Sequence, residues 1–338
     1  MRGFKGSPEW ARYKDRRRLL RKGLTYTPNL EFTRLIEDRG KDFIFAPENF
    51  SLADNPGGVI EYFRSVQDNA KAQVQSVMDM RSVDKTDLAT ISLLISVMMD
   101  RRKSAKLFKK HVTVYIPPKN TEAGRLFRKA QFHETVTAHG IADHAFFLSR
   151  RSTKVNEDYL RDVLNYAERF LGVKNPGKLS PLLVEIISNT NNHANPDVKE
   201  EEDRLPWFLS IFEDKDTGKM IFSVVDLGVG IFESLKMKGL AGADNFEDSI
   251  RDMYQNSQSK FLRTNIPKGV DSSTGLLYRG KGLQTIYEYA KSAIYDRFTI
   301  ITNQANVDLK NTGKNTVDSG VSLDGTVYYW EMSSYGKF

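Results

Sequence analysis

Cysteine is absent from this 338-residue chain. That excludes disulfides, thiolate metal sites and cysteine nucleophiles, and it fits a reducing compartment, so a cytoplasmic protein is expected. Long apolar runs are also missing. The longest, Ala89 to Met99, is interrupted by Thr90, Ser92 and Ser96 and is too short to span a bilayer, so no membrane contact is expected. The N-terminus is basic but has no apolar h-region, and no secretory signal is expected. No low-complexity block dominates, and the length allows two or three domains with a sizeable core.

Positive charge is present, and it is unevenly spread. The net charge is +7, and residues 1–26 hold nine Lys or Arg against Glu9 and Asp15, which leaves the rest of the chain neutral. A basic arm, 1–26, ahead of a neutral body points to a contact with nucleic acid or an acidic protein surface; the alternative is a solvated tail that docks on its own domain.

From about residue 27 to 150, apolar patterning alternates between the two periods that mark strands and helices. Phe43 to Phe45 is a short apolar run. Val59 to Val66 follows the breaker Asn55-Pro56-Gly57-Gly58 in a helical stretch, and Val74 to Met80 alternates as a strand. Leu88, Ile91, Leu94, Ile95 and Met98 predict a buried helix over Asp87 to Met99. Val112 to Ile116 reads as a strand and Thr121 to Val136 as one amphipathic helix. A layered α/β domain is implied. Beyond it, residues 153–172 read as a helix, broken at Lys174-Asn175-Pro176-Gly177. Trp207 to Phe212 and Met220 to Val225 read as hairpin strands around Asp214–Gly218. Residues 281–292 read as a helix, and Phe298 to Thr302 and Thr326 to Met332 as strands.

Three stretches carry chemistry. In Glu185-Ile186-Ile187-Ser188-Asn189-Thr190-Asn191-Asn192-His193-Ala194 an acid, an amide and an imidazole recur every four residues and share one side of a helix, opposite Leu183, Ile186 and Ile187. Asp226-Leu227-Gly228-Val229-Gly230 sets a carboxylate at a strand end before two glycines. Arg279-Gly280-Lys281-Gly282-Leu283 brings glycines and cations to a helix start, where backbone N–H groups and the dipole favour anions. Gly275 to Lys281 also matches the opening of a P-loop, but Gly282 stands where that motif needs a hydroxyl, so this reading is rejected.

These stretches resemble the N, G1 and G2 boxes of the GHKL superfamily, which includes gyrase, MutL repair proteins, heat-shock chaperones, histidine kinases and anti-sigma-factor serine kinases. Gly325-Thr326 matches a further G-T pair. The resemblance covers the last half of the chain, 151–338. It implies a Bergerat α/β sandwich with helices on one face of a mixed sheet, a lid at about 231–278, and ATP and Mg²⁺ as cofactors. It assigns Glu185 as general base, Asn189 as magnesium ligand, His193 to the site edge and Asp226 to the adenine amino group. Gly228 and Gly230 would approach the base, Thr326 would be a further cofactor-binding residue, and Arg279, Gly280, Lys281 and Gly282 would meet the phosphates. Ser257, Ser259, Lys260, Ser272 and Ser273 are candidate lid contacts.

Residues 27–150 resemble a STAS domain. Val83-Asp84-Lys85-Thr86-Asp87-Leu88 matches that family's phosphoacceptor turn, with Thr86 at the acceptor position, though Lys85 and Asp87 depart from the pattern. The residues themselves favour Thr86 as the N-cap of the helix that follows. His133, His139 and His144 lack a zinc spacing and read as surface or satisfied core histidines. The function expected is that of a magnesium-dependent ATP-binding regulatory protein of prokaryotic signalling or defence. It would be a slow ATPase used as a conformational switch. The alternatives are a serine/threonine protein kinase of anti-sigma type, and a non-hydrolysing nucleotide-gated adaptor. A protein partner or homodimer is expected, with nucleic acid through the arm 1–26.

Overall fold

The computed structural model describes residues 42–72, 76–108, 114–116, 118, 121–137, 142–144, 147–193, 206–237, 282–310, 316–317 and 322–333. The basic arm, most of the proposed lid and Arg279 to Lys281 lie outside them, as do the side chains of His133, His139, His144 and His193.

The chain is mixed α/β, as its patterning requires. In the front half, strands β1 (Asp42–Phe45), β3 (Ser76–Asp79) and β5 (Val114–Ile116) form a parallel sheet in the order β1-β3-β5. Parallel neighbours need crossover connections, and helices α1 (Pro56–Lys71) and α2 (Leu88–Phe108) supply them. Two-residue strands β2 (Asn49–Phe50) and β4 (Lys85–Thr86) pair beside this sheet.

Two local expectations are corrected. Asp87, not Thr86, caps α2: its Oδ1 accepts the Thr90 N–H at 2.7 Å, while Oδ2 accepts the Ser51 hydroxyl at 2.6 Å and the Ala53 N–H at 3.0 Å. Thr86 lies in β4, and its hydroxyl is buried without a partner. The single helix expected over Thr121 to Val136 is two, α3 (Glu122–Lys129) and α4 (Phe132–Thr137). They are separated at Gln131, whose φ of 43° no α-helix tolerates.

The back half is built on an eight-stranded sheet in the order β12-β11-β10-β13-β9-β8-β7-β6. Its strands are β6 (Ala142–His144), β7 (Phe147–Ser152), β8 (Trp207–Asp214), β9 (Lys219–Asp226), β10 (Tyr295–Asn303), β11 (Ala305–Asp308), β12 (Thr316–Val317) and β13 (Leu323–Ser333). All seven pairings are antiparallel, in place of the mixed sheet expected. Helices α5 (Glu157–Leu171) and α6 (Leu179–His193) run between β7 and β8 as a pair, so the chain returns to the end it left and the two strands pair antiparallel. Strands β6 and β7 belong to this sheet, so the boundary drawn at residue 150 falls inside a strand.

Both faces of the sheet are covered, not one. Trp207, Leu209, Ile211, Phe222, Val224, Phe298, Ile300, Tyr328 and Trp330 point to the side packed by α5, α6 and α8 (Gly282–Ala290). Phe208, Phe212, Val225, Ile301, Val327 and Tyr329 point the other way, into the core formed by α1, α2 and the front sheet. Burial on both faces explains why these strands read as nearly continuous apolar runs. At the centre, the Ser92 hydroxyl on α2 meets the Ser210 hydroxyl on β8. The two halves therefore share one hydrophobic core.

Candidate functional site

The site is organised where β9 ends and α6 passes over it. Leu179, Leu182, Leu183, Ile186 and Ile187 are fully buried against the sheet. Glu185, Ser188 and Asn189 lie at the rim of that contact, half-buried, as the spacing predicts. Asn175 Oδ1 accepts the Ser180 N–H at 3.1 Å and so satisfies an orphan donor in the first turn of α6.

Asp226 is the last residue of β9, in register with Thr326 on β13, and only 4% exposed. Its Oδ1 accepts the Gly228 N–H at 3.0 Å, and its Oδ2 lies 3.4 Å from the Thr190 hydroxyl. Thr326 adds donors from its side chain and its backbone, so the carboxylate is held from several sides at the strand end. Burial pushes the Asp226 pKa up to about 6, outweighing the opposing hydrogen bonds from Gly228, Thr190 and Thr326.

The glycine turn after Asp226 is pinned from below. Thr302 Oγ1 accepts the Ile231 N–H at 2.9 Å and donates to the Gly325 carbonyl at 3.0 Å. Asn303 Oδ1 accepts the Phe232 N–H at 3.1 Å, and its Nδ2 donates to the Val229 carbonyl at 2.9 Å. These two side chains thus cap helix α7 (Ile231–Met237) from a neighbouring strand. Gly230 has φ +84°, and a Cβ there would lie 2.5 Å from the Asn303 amide oxygen. The turn needs glycine for both reasons.

The structure brings together Asn189, Asp226, Gly228, Gly230 and Thr326, with Glu185 one helical turn before Asn189. Gly282 begins α8, which packs beside α6. Arg279, Gly280 and Lys281 are not among the described residues. The His193 backbone closes α6.

Sequence reasoning missed Thr190, Thr302, Asn303 and Tyr328. Thr190 follows Ile186 by four residues and could have been placed on the buried stripe by period alone. Thr302 and Asn303 look like the end of an ordinary strand, and nothing local marks them as the pins of a turn some 70 residues earlier. Tyr328 looks like any core aromatic, yet Asn189 and Asp226 are its polar neighbours; burial, reinforced by the Asp226 charge, raises its pKa and keeps the phenol protonated. The Asn189 Nδ2 is itself buried and makes no bond that meets hydrogen-bond geometry.

The donor set is a hard one. Among the described residues no group of three His, Cys, Asp or Glu side chains is placed to hold a metal ion. Mg²⁺ does not require one, since it commonly takes one or two protein oxygens and completes its shell with phosphate and water. No helix of the described residues is long and apolar enough to cross a membrane. Compared with protein-family models and with curated proteins, the chain finds no match.

Proposed function

We propose that this protein binds ATP with Mg²⁺ and hydrolyses it slowly, as a conformational switch that the front half reads. The observation that carries the reading is Asp226: a buried carboxylate at a strand end, followed by a glycine turn and held against the helix that carries Asn189.

In this reading the Asp226 carboxylate accepts the exocyclic amino group of adenine and repels the carbonyl that guanine presents there. Thr190 and Thr326 hold the carboxylate in place. The glycine turn lets the backbone approach the base. Asn189 offers its amide oxygen to the metal ion, which neutralises phosphate charge when bound. Glu185, one turn earlier on the same rim, orients the attacking water and takes up its proton. Arg279, Lys281 and the N–H groups around Gly280 and Gly282 receive the phosphates.

The shared core supports the switch. Asp226 faces the site, while Val225 and the partly buried Leu227 on either side of it pack into the core built around α2. A ligand that moves this turn therefore also pushes on the front half.

The kinase alternative loses one acceptor. The Thr86 hydroxyl is buried, which makes it a poor target in cis. Incubation with γ-labelled ATP separates the readings. Free phosphate supports the ATPase, label on protein supports the kinase, and tight binding with neither supports the adaptor. Glu185→Ala is expected to retain ATP binding and abolish turnover; turnover at the wild-type rate would overturn Glu185 as the base.

A further inference from the structure

Leaving a buried amide N–H unpaired is costly. Such a group in a folded chain therefore has a structural or functional reason. Asn189 Nδ2 is one, and it belongs to the side chain expected to meet the cation.

An asparagine amide has two unlike ends. Rotating it by half a turn exchanges a hard oxygen acceptor for a pair of N–H donors. A cation needs the oxygen turned towards it, so the nitrogen must turn inward and find an acceptor there. The group below Asn189 is Tyr328. It sits on β13, two residues beyond Thr326, which faces Asp226 across the sheet. Its ring is 2% exposed and points to the same face as Ile186 and Ile187 of α6. Its hydroxyl has Asp226 as a charged neighbour and lies within loose hydrogen-bonding reach of the Asn189 side chain, short of the geometry of a formed bond. A phenol that keeps its proton still has oxygen lone pairs to offer an incoming N–H. A phenylalanine at this position would fill the same volume and give the amide no reason to prefer either orientation.

We propose that Tyr328 is a positioning residue for Asn189: its hydroxyl oxygen accepts the Nδ2–H bond when ligand orders the site, which commits Oδ1 to the metal ion. The inference rests on the Mg²⁺–ATP reading of the site. It adds a residue that the three sequence boxes do not contain, and it gives the unpaired nitrogen a purpose.

The test uses the full chain and three variants: Tyr328→Phe, Asn189→Ala and the pair together. Each is titrated with ATP in the presence of EDTA, then with Mg²⁺ at fixed ATP, following heat or a fluorescent ATP analogue. Melting temperature checks that each variant is folded; Tyr328→Phe removes one oxygen and keeps the ring, so the core stays filled. Tyr328→Phe is expected to need about three- to tenfold more Mg²⁺ for half-saturation. Its affinity for ATP without metal should be unchanged. In the Asn189→Ala background the same substitution should add nothing to the Mg²⁺ requirement. An unchanged Mg²⁺ requirement, an equal loss of metal-free ATP binding, or a full additional effect in the Asn189→Ala background would each overturn the proposal. Wild-type protein that takes up no ATP overturns the site reading as well, whereas uptake with an unaltered Mg²⁺ requirement overturns this inference alone.

Discussion

Thr190 Oγ1 lies 3.4 Å from Asp226 Oδ2 and 3.2 Å from the carbonyl oxygen of Ile186, one turn earlier in its own helix. One hydroxyl proton is divided between two acceptors. The helix thus holds the carboxylate by a long, shared bond that a ligand N–H can displace. A stronger, undivided bond would fill that position and leave less for a ligand.

Asp226→Asn tests this directly. Hydrogen bonds to a charged group contribute about 1.5–3 kcal/mol. The variant is therefore expected to bind ATP roughly ten- to a hundredfold more weakly by calorimetry. Because an amide can also donate, its preference for ATP over GTP should narrow. Wild-type affinity in the variant would remove Asp226 from the site.

The pH dependence follows from the same residue. Folding raises the Asp226 pKa from 3.8 to about 6, so the folded chain holds this proton more tightly than the unfolded one. The stability this group lends is full below the unfolded value and is lost as pH rises through about 6. The displacement corresponds to roughly 3 kcal/mol between the two limits. Urea unfolding from pH 4 to 7 should show the decline, and Asp226→Asn should flatten it. Nucleotide affinity should run the opposite way and weaken as the carboxylate takes up its proton below about pH 6.

Gly325 and Asp226 touch through their backbones. A Cβ on Gly325, at φ +131°, would stand 2.2 Å from the Asp226 carbonyl oxygen. No side chain can move aside to relieve that contact. Gly325→Ala is expected to cost about 3 kcal/mol or more in urea unfolding. A variant as stable as the wild type would show that β9 and β13 meet differently.

Asp87 and Thr86 are adjacent and should respond oppositely. Asp87→Ala removes the α2 cap and the bonds to Ser51 and Ala53, for an expected loss of about 2–3 kcal/mol in the same assay. Thr86→Val removes a hydroxyl that has no partner and should be neutral or slightly stabilising.

The shared core predicts one cooperative unit. Ile95 of α2 is fully buried in the shared core, and Ile95→Ala should cost about 2–5 kcal/mol. Calorimetry should show a single transition shifted downward as a whole. Two separate transitions, with only the first affected, would mean that the halves fold independently.

Periodicity and spacing made much of this legible. The run of Leu183, Ile186 and Ile187 against Glu185 and Asn189 placed α6 and its rim correctly, because a helix face is written in consecutive residues. The hairpin around Asp214–Gly218 and the strand ending at Asp226 were equally plain. What stayed hidden was set by distant chain. Asp87 outcompetes Thr86 as the cap because Ser51 and Ala53, over thirty residues away, converge on its carboxylate. That α2 would be buried could be read from its apolar residues, but not that it would be buried against β8 and β9. Thr302 and Asn303 acquire their role only when β10 is laid beside the Val229–Phe232 turn.

One consequence of α2 lying on the back of the large sheet concerns how the molecule can move. Swinging the halves apart about a hinge would bare Phe208, Phe212, Val225, Ile301 and Val327 to water at once. At about 1.5–3 kcal/mol for each large side chain, nucleotide-driven opening of that kind is out of reach. Any message from the Asp226 turn must therefore travel as a slight change in the twist of the strands, felt by a helix that never leaves them.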